Sequence, residues 1–99
     1  MKYTYPAIFT DDKDTKTCHV EFPNLHYGSD IAYSDKSNLM REAEHELGFA
    51  LWLFEDAGRE FPKSEAISDK GLPSGAAVKF VSCDYEKYRR SVSVKVFDL

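Results

Sequence analysis

Few residues of this chain have types and spacings that could do chemistry, and each constellation they form is incomplete. Glu42-Ala43-Glu44-His45 sets a carboxylate three residues before an imidazole, the spacing that puts two metal ligands on one helix face in di-iron bundles. Such a centre draws ligands from four helices, and the apolar periodicity of this chain gives one, so the run reads as a solvated acidic face. His45-Glu46 opens like a zinc-protease signature, but Phe49 stands where the second histidine is required. Nucleophilic catalysis needs a serine or cysteine beside a base, yet His19, His26 and His45 are scattered and no nucleophile elbow or cysteine-protease signature is present. There is no glycine-rich phosphate loop and no Cys-x-x-Cys pair. Cys18 and Cys83 read as reduced, buried structural thiols. The sequence therefore predicts no catalytic, cofactor-binding or metal-ligating residue, and a protein that binds rather than catalyses.

What remains is surface chemistry. The 99 residues are 42% hydrophobic and 30% charged with a formal net charge of -4, the profile of one soluble globular domain over residues 1–99. No apolar run approaches the ~20 residues that cross a bilayer. The opening Met1-Lys2-Tyr3-Thr4-Tyr5 lacks the continuous apolar stretch of a signal peptide, so a cytoplasmic protein is expected. Charge is unevenly spread: residues 1–69 hold 7 Lys+Arg against 14 Asp+Glu, and residues 70–99 hold 6 against 3. An acidic body with aromatic side chains suits a basic protein partner. Glu42, Glu44, Glu46 and Trp52 are the candidate contact residues, combining charge with a buriable ring. Lys87, Arg89, Arg90 and Lys95 are the candidates for nucleic-acid contact, which the acidic balance favours less.

These residues need elements to position them. Residues 1–10 alternate polar with apolar, the pattern of a half-buried strand, and Pro6 within it calls for an edge or a bulge. A polar connection over 11–16 leads to a second strand over 17–22, with Cys18, Val20 and Phe22 inward. A short third strand is expected around Ile31 to Tyr33. Residues 34–37 supply candidate helix caps, and Met40, Ala43, Leu47, Ala50, Leu51 and Phe54 then recur at helical spacing up to Ala57-Gly58. Phe49, Trp52 and Leu53 make the second half of that helix apolar nearly all round, so the loop carrying Phe61-Pro62, or another chain, should cover it. A long loop over 58–75, a strand over 77–83, a turn over 84–88 and a basic strand over about 90–97 complete the order β-β-β-α-β(-β), an α+β fold with one helix over an antiparallel or mixed sheet. Val92, Val94 and Val96 give the last strand one apolar face, which should pair two chains into a homodimer or close the sheet as a fifth strand beside the fourth.

The same order opens the ribonuclease H fold, whose nucleases anchor two metal ions on a first-strand carboxylate; here Tyr3 to Phe9 contains no acid. Four motifs carry a more specific likeness: Met1-Lys2-Tyr3-Thr4-Tyr5-Pro6-Ala7-Ile8-Phe9, Val20-Glu21-Phe22-Pro23-Asn24-Leu25, the helix from Leu39 to Leu47, and Phe80-Val81-Ser82-Cys83-Asp84-Tyr85-Glu86-Lys87-Tyr88-Arg89. Over residues 1 to about 90 the chain resembles the HicB family of bacterial antitoxins. The resemblance implies a partial ribonuclease H-like fold without its catalytic acids, and direct neutralisation of a small basic messenger-RNA-cleaving toxin of the HicA type. It further implies oligomerisation. The family's glycine-rich turn after the second strand is here Leu25-His26-Tyr27-Gly28-Ser29-Asp30, and its C-terminal DNA-binding module has no counterpart up to Leu99. The alternative is a stand-alone RNA-binding module on a catalytically dead ribonuclease H-like frame.

Overall fold

The computed structural model describes the backbone of residues 1–97 and the side chains of residues 1–92. β1 (Lys2–Asp12) and β2 (Thr17–Phe22) form a hairpin closed by a turn in which Asp12 Oδ1 accepts the backbone N–H groups of Asp14 and Thr15. A short 3-10 turn at Pro23–Leu25 ends in His26 at φ 49, a left-handed residue that reverses the chain into β3 (Tyr27–Ala32). β3 thus starts four residues before the expected Ile31. Its inward positions are Tyr27, Ser29 and Ile31, and the serine interrupts the apolar alternation by which a strand is read.

Asp35 accepts the Ser37 N–H at 2.9 Å and starts a 3-10 turn that runs into α1 (Leu39–Asp56). A long connection then returns to β4 (Ala76–Asp84), which enters through Gly75 at φ +86, a conformation that side-chain-bearing residues rarely adopt. The sheet order is β3-β2-β1-β4 and every pair is antiparallel, so the fourth strand lies beside the first. The β1–β2 ladder begins at Ile8, which leaves the first half of β1 paired with β4 alone. Pro6 sits in that half, so a nominally central strand is locally an edge where it lacks an N–H.

One face of the sheet carries the core. Tyr5, Ala7, Phe9, Cys18, Val20, Phe22 and Val81 are buried against Ala43, Leu47, Ala50 and Leu51 of α1. Both cysteines are buried and unpaired. Cys18 lies opposite Asp11 and Cys83 opposite Tyr3, on the two sides of β1, so about 26 Å of strand separates their positions, far beyond disulfide reach. Burial pushes both thiols up, Cys83 to about 11.

The expected turn over 84–88 and strand over 90–97 are replaced by one helix, α2 (Tyr85–Phe97). Asp84 accepts the Lys87 N–H at 3.3 Å and so caps its first turn. Tyr85, buried, and Tyr88, half-buried, then fall at helical spacing against the core, and that packing outweighs the β-propensity of the valines. The strand pairing assigned to Val92, Val94 and Val96 is therefore corrected; the side chains of Val94, Lys95 and Val96 lie outside the described residues. Among the described residues no helix is long and apolar enough to cross a membrane.

Candidate partner-binding site

At 100° per residue, α1 turns Ala43, Leu47, Ala50 and Leu51 to the sheet and leaves a ridge pointing away from it. Glu42, Phe49 and Leu53 lie within about 40° of one another on that ridge, and Trp52 flanks them. Phe49 and Leu53 are 38% and 40% exposed, and Trp52 is half-buried. The rings form a continuous surface: Phe49 stacks on Trp52 at 6.0 Å with an interplanar angle of 20°, and the Tyr27 ring meets Phe49 edge-on at 6.0 Å. The loop carrying Phe61-Pro62 packs elsewhere, Phe61 against Tyr3 and Tyr85, and Pro62 O accepting the Tyr5 hydroxyl. It leaves the ridge uncovered.

Glu46 belongs to the scaffold of this ridge. Tyr27 OH donates to its Oε2 at 2.6 Å and Ser29 Oγ to its Oε1 at 3.4 Å, which ties α1 to β3. Burial, and then this carboxylate, drives the Tyr27 hydroxyl far above its ordinary range. Glu42 is exposed on the ridge. Glu44, also exposed, projects roughly 160° away from Glu42 around the helix, into a groove lined by Lys2, Cys83, Lys87 and Tyr88. Three of the four residues expected to meet a partner thus share one surface, and Glu44 stands apart. Phe49, Leu53 and Tyr27 belong with the three. The first two were visible as the apolar half of the helix, whereas Tyr27 needed the register of β3.

Among the described residues, the basic candidates have different surroundings, and the side chain of Lys95 lies outside them. Lys87 shares the groove with Glu44, Arg89 Nε lies 3.1 Å from Glu55 Oε1, and Arg90 is exposed. A second polar cluster sits at the opposite end of the sheet. β1 runs two residues further than the alternation indicates, to include Asp11 and Asp12, so the strand does hold acids, at its far end. Asp11 Oδ1 accepts the Tyr33 hydroxyl at 2.5 Å, and its Oδ2 lies 2.7 Å from Lys36 Nζ. The Lys36 ammonium, then the Tyr33 hydroxyl, holds the Asp11 carboxyl below the usual carboxylate range. Among the described residues no three His, Cys, Asp or Glu side chains gather as metal ligands would.

The sequence matches no protein-family model and no curated protein. Among solved structures, it is similar to a chain of a toxin–antitoxin complex from Streptococcus pneumoniae, with a TM-score of 0.68 and 23% identity, over 89% of this chain and 73% of that one. At that identity the likeness shows a shared fold over most of this chain.

Proposed function

We propose that this chain is an antitoxin-like binding protein that seats a small basic toxin against the outward ridge of α1. The observation that carries the reading is an uncovered surface of Phe49, Trp52 and Leu53 rimmed by Glu42 and Glu46. Stacked aromatic anchors beside a charge opposite to the partner's are what a protein interface of this kind requires. The fold shared with a chain of a toxin–antitoxin complex supports it, as does the resemblance to HicB antitoxins, which makes a HicA-type toxin the expected partner and a ribonuclease H-like frame without nuclease acids the expected scaffold.

The competing reading, an RNA-binding module, rests on Lys87, Arg89, Arg90 and Lys95. Of these, Arg89 is engaged by Glu55 and Lys87 shares its groove with Glu44, so the basic charge is partly neutralised where it stands. The test is rescue of growth. A HicA-type toxin is expressed with and without this chain, and the purified pair is titrated by calorimetry. Wild type should restore growth, and Trp52→Ala should weaken binding by about 2 kcal/mol, roughly 30-fold in Kd. Charge reversal at Glu42 should steepen the loss at low salt. Rescue and affinity unchanged in Phe49→Ala/Trp52→Ala would place the toxin on another face.

A further inference from the structure

One corner of the helix-bearing face of the sheet is left open. On β4 that face carries Ala77, Lys79, Val81 and Cys83, in register with Phe9, Ala7, Tyr5 and Tyr3 of β1. Val81 and Cys83 are buried, whereas Ala77 and Lys79 are exposed: α1, which starts at Leu39, covers the first pair and leaves the second. The gap is a half-enclosed cavity of about 220 Å³ between this end of the sheet and the first turn of α1. Its floor is apolar, made of the Phe9 ring, Ala77 and Cys18, a thiol that burial keeps protonated. Met40, 36% exposed, lines it from the helix. Lysines are rare on the core face of a strand. The Lys79 ammonium lies 5.4 Å over the Phe9 ring, and among the described residues it joins no ion pair. The other charges of the cavity cancel, since Asp11 Oδ2 lies 2.7 Å from Lys36 Nζ while Oδ1 accepts the Tyr33 hydroxyl. One ammonium is left over on an apolar floor, in a chain whose net charge is -4.

We propose that this cavity binds a small organic acid with a compact apolar body, its carboxylate paired with Lys79 and its body seated on Phe9, Cys18 and Ala77. Size sets the body. An apolar cavity of about 150 Å³ holds a benzene ring, so about 220 Å³ takes one ring, or a branched aliphatic chain, together with one acidic group. Cavities that take drug-sized ligands begin near 300 Å³, which excludes larger bodies. Charge sets the acidic group. A single spare ammonium matches a monoanion, whereas a phosphate dianion would bring a second negative charge towards Asp11. The apolar floor excludes water from one side of the pair and strengthens it. Lys79 is held near its place by the attraction of its ammonium to the Phe9 ring, so less of its freedom is lost on binding.

Titration of the full chain with benzoate, benzamide and benzylamine, followed through the backbone amide NMR signals, tests the site with ligands of similar shape and different charge. Benzoate is expected to shift the amides of Phe9, Met40 and Lys79 saturably, with a Kd of about 1 mM or tighter for a ligand of this size. Benzamide and benzylamine should bind at least ~10-fold more weakly, the worth of one charge-assisted pair. Lys79→Met removes the charge at an exposed position while keeping the length of the side chain. It should leave the rest of the spectrum in place and bring benzoate down to the affinity of benzamide. Ala77→Leu, which fills the floor and keeps Lys79, should weaken benzoate about 10-fold by loss of room for the ring. Absence of benzoate shifts around the cavity at about ten times that 1 mM concentration overturns the proposal. So does equal affinity for benzoate and benzamide, or an affinity for benzoate that Lys79→Met leaves unchanged.

Discussion

Asp11 shows how much one side chain can tie together here. Its carboxylate joins the end of β1 to Tyr33, which follows β3, and to Lys36 in the turn that starts α1. Because its folded-state pKa is depressed, its contribution to stability is complete above the ordinary carboxylate value of about 4 and is lost as the pH falls below it. The gap in urea midpoint between wild type and Asp11→Asn should therefore be widest near neutrality and close progressively from pH 5 to about 3. The alkaline side has the opposite sign. The bond to Asp11, then burial, raises the Tyr33 hydroxyl to about 12, so its contribution holds below the ordinary phenol value of about 10 and fades as the pH approaches 12. In the sequence the same residue reads as the first of a run of polar turn residues, because a carboxylate gains structural meaning only from partners that the fold brings to it.

Gly48 plays the corresponding part between elements. A glycine in the middle of α1 costs about 1 kcal/mol relative to alanine by helix propensity, yet a Cβ there would lie 2.6 Å from the Tyr88 ring of α2. The missing side chain is the seat in which α2 rests. Gly48→Ala is expected to destabilise the protein by about 1–3 kcal/mol despite its better propensity, through overpacking. In a Tyr88→Ala background the same change should become neutral or stabilising, which a double-mutant cycle by urea denaturation measures. α1 itself was legible to within a residue or two, since Ala43, Leu47, Ala50 and Leu51 declare its buried stripe at a spacing no strand shares. The alternation of β2 was equally plain. α2 was not, because Val92 to Val96 alternate like a strand, while the signals that decide the matter, the Asp84 cap and the spacing of Tyr85 and Tyr88, gain weight only once α1 and Phe61 stand beside them. The candidate site divides the same way: Trp52 and Glu42 were readable, and Tyr27 joins them through the register of β3.

Across the whole molecule, the connection over residues 57–75 returns the chain from the end of α1 to the start of β4 at the far end of the sheet. It is fastened at three points: Pro62 O accepts the Tyr5 hydroxyl, Asn24 Oδ1 accepts the Glu65 N–H, and Gly75 O accepts the Asp11 N–H. Between the last two, Lys70 is exposed beside Gly71. Limited trypsin treatment should cut first there or at exposed Lys63, well before Arg41 within α1. The nicked halves should co-elute on gel filtration under native conditions and separate in urea, because β4 in the C-terminal fragment keeps its nine paired positions on β1. That pairing has another consequence. β1 is made first and β4 late, with Thr10 meeting Ala76 and Lys2 meeting Asp84 across most of the chain. During translation the β1–β2–β3 meander and α1 emerge with half of β1 still unpaired, so the core cannot close until β4 has cleared the ribosome. Loop closure over such separations is slow, so the refolding rate is set by capture of β4 rather than by the local hairpins. A nascent chain interrupted before Ala76 would expose the open side of β1 together with the ridge of α1, a form suited to proteolysis rather than to binding.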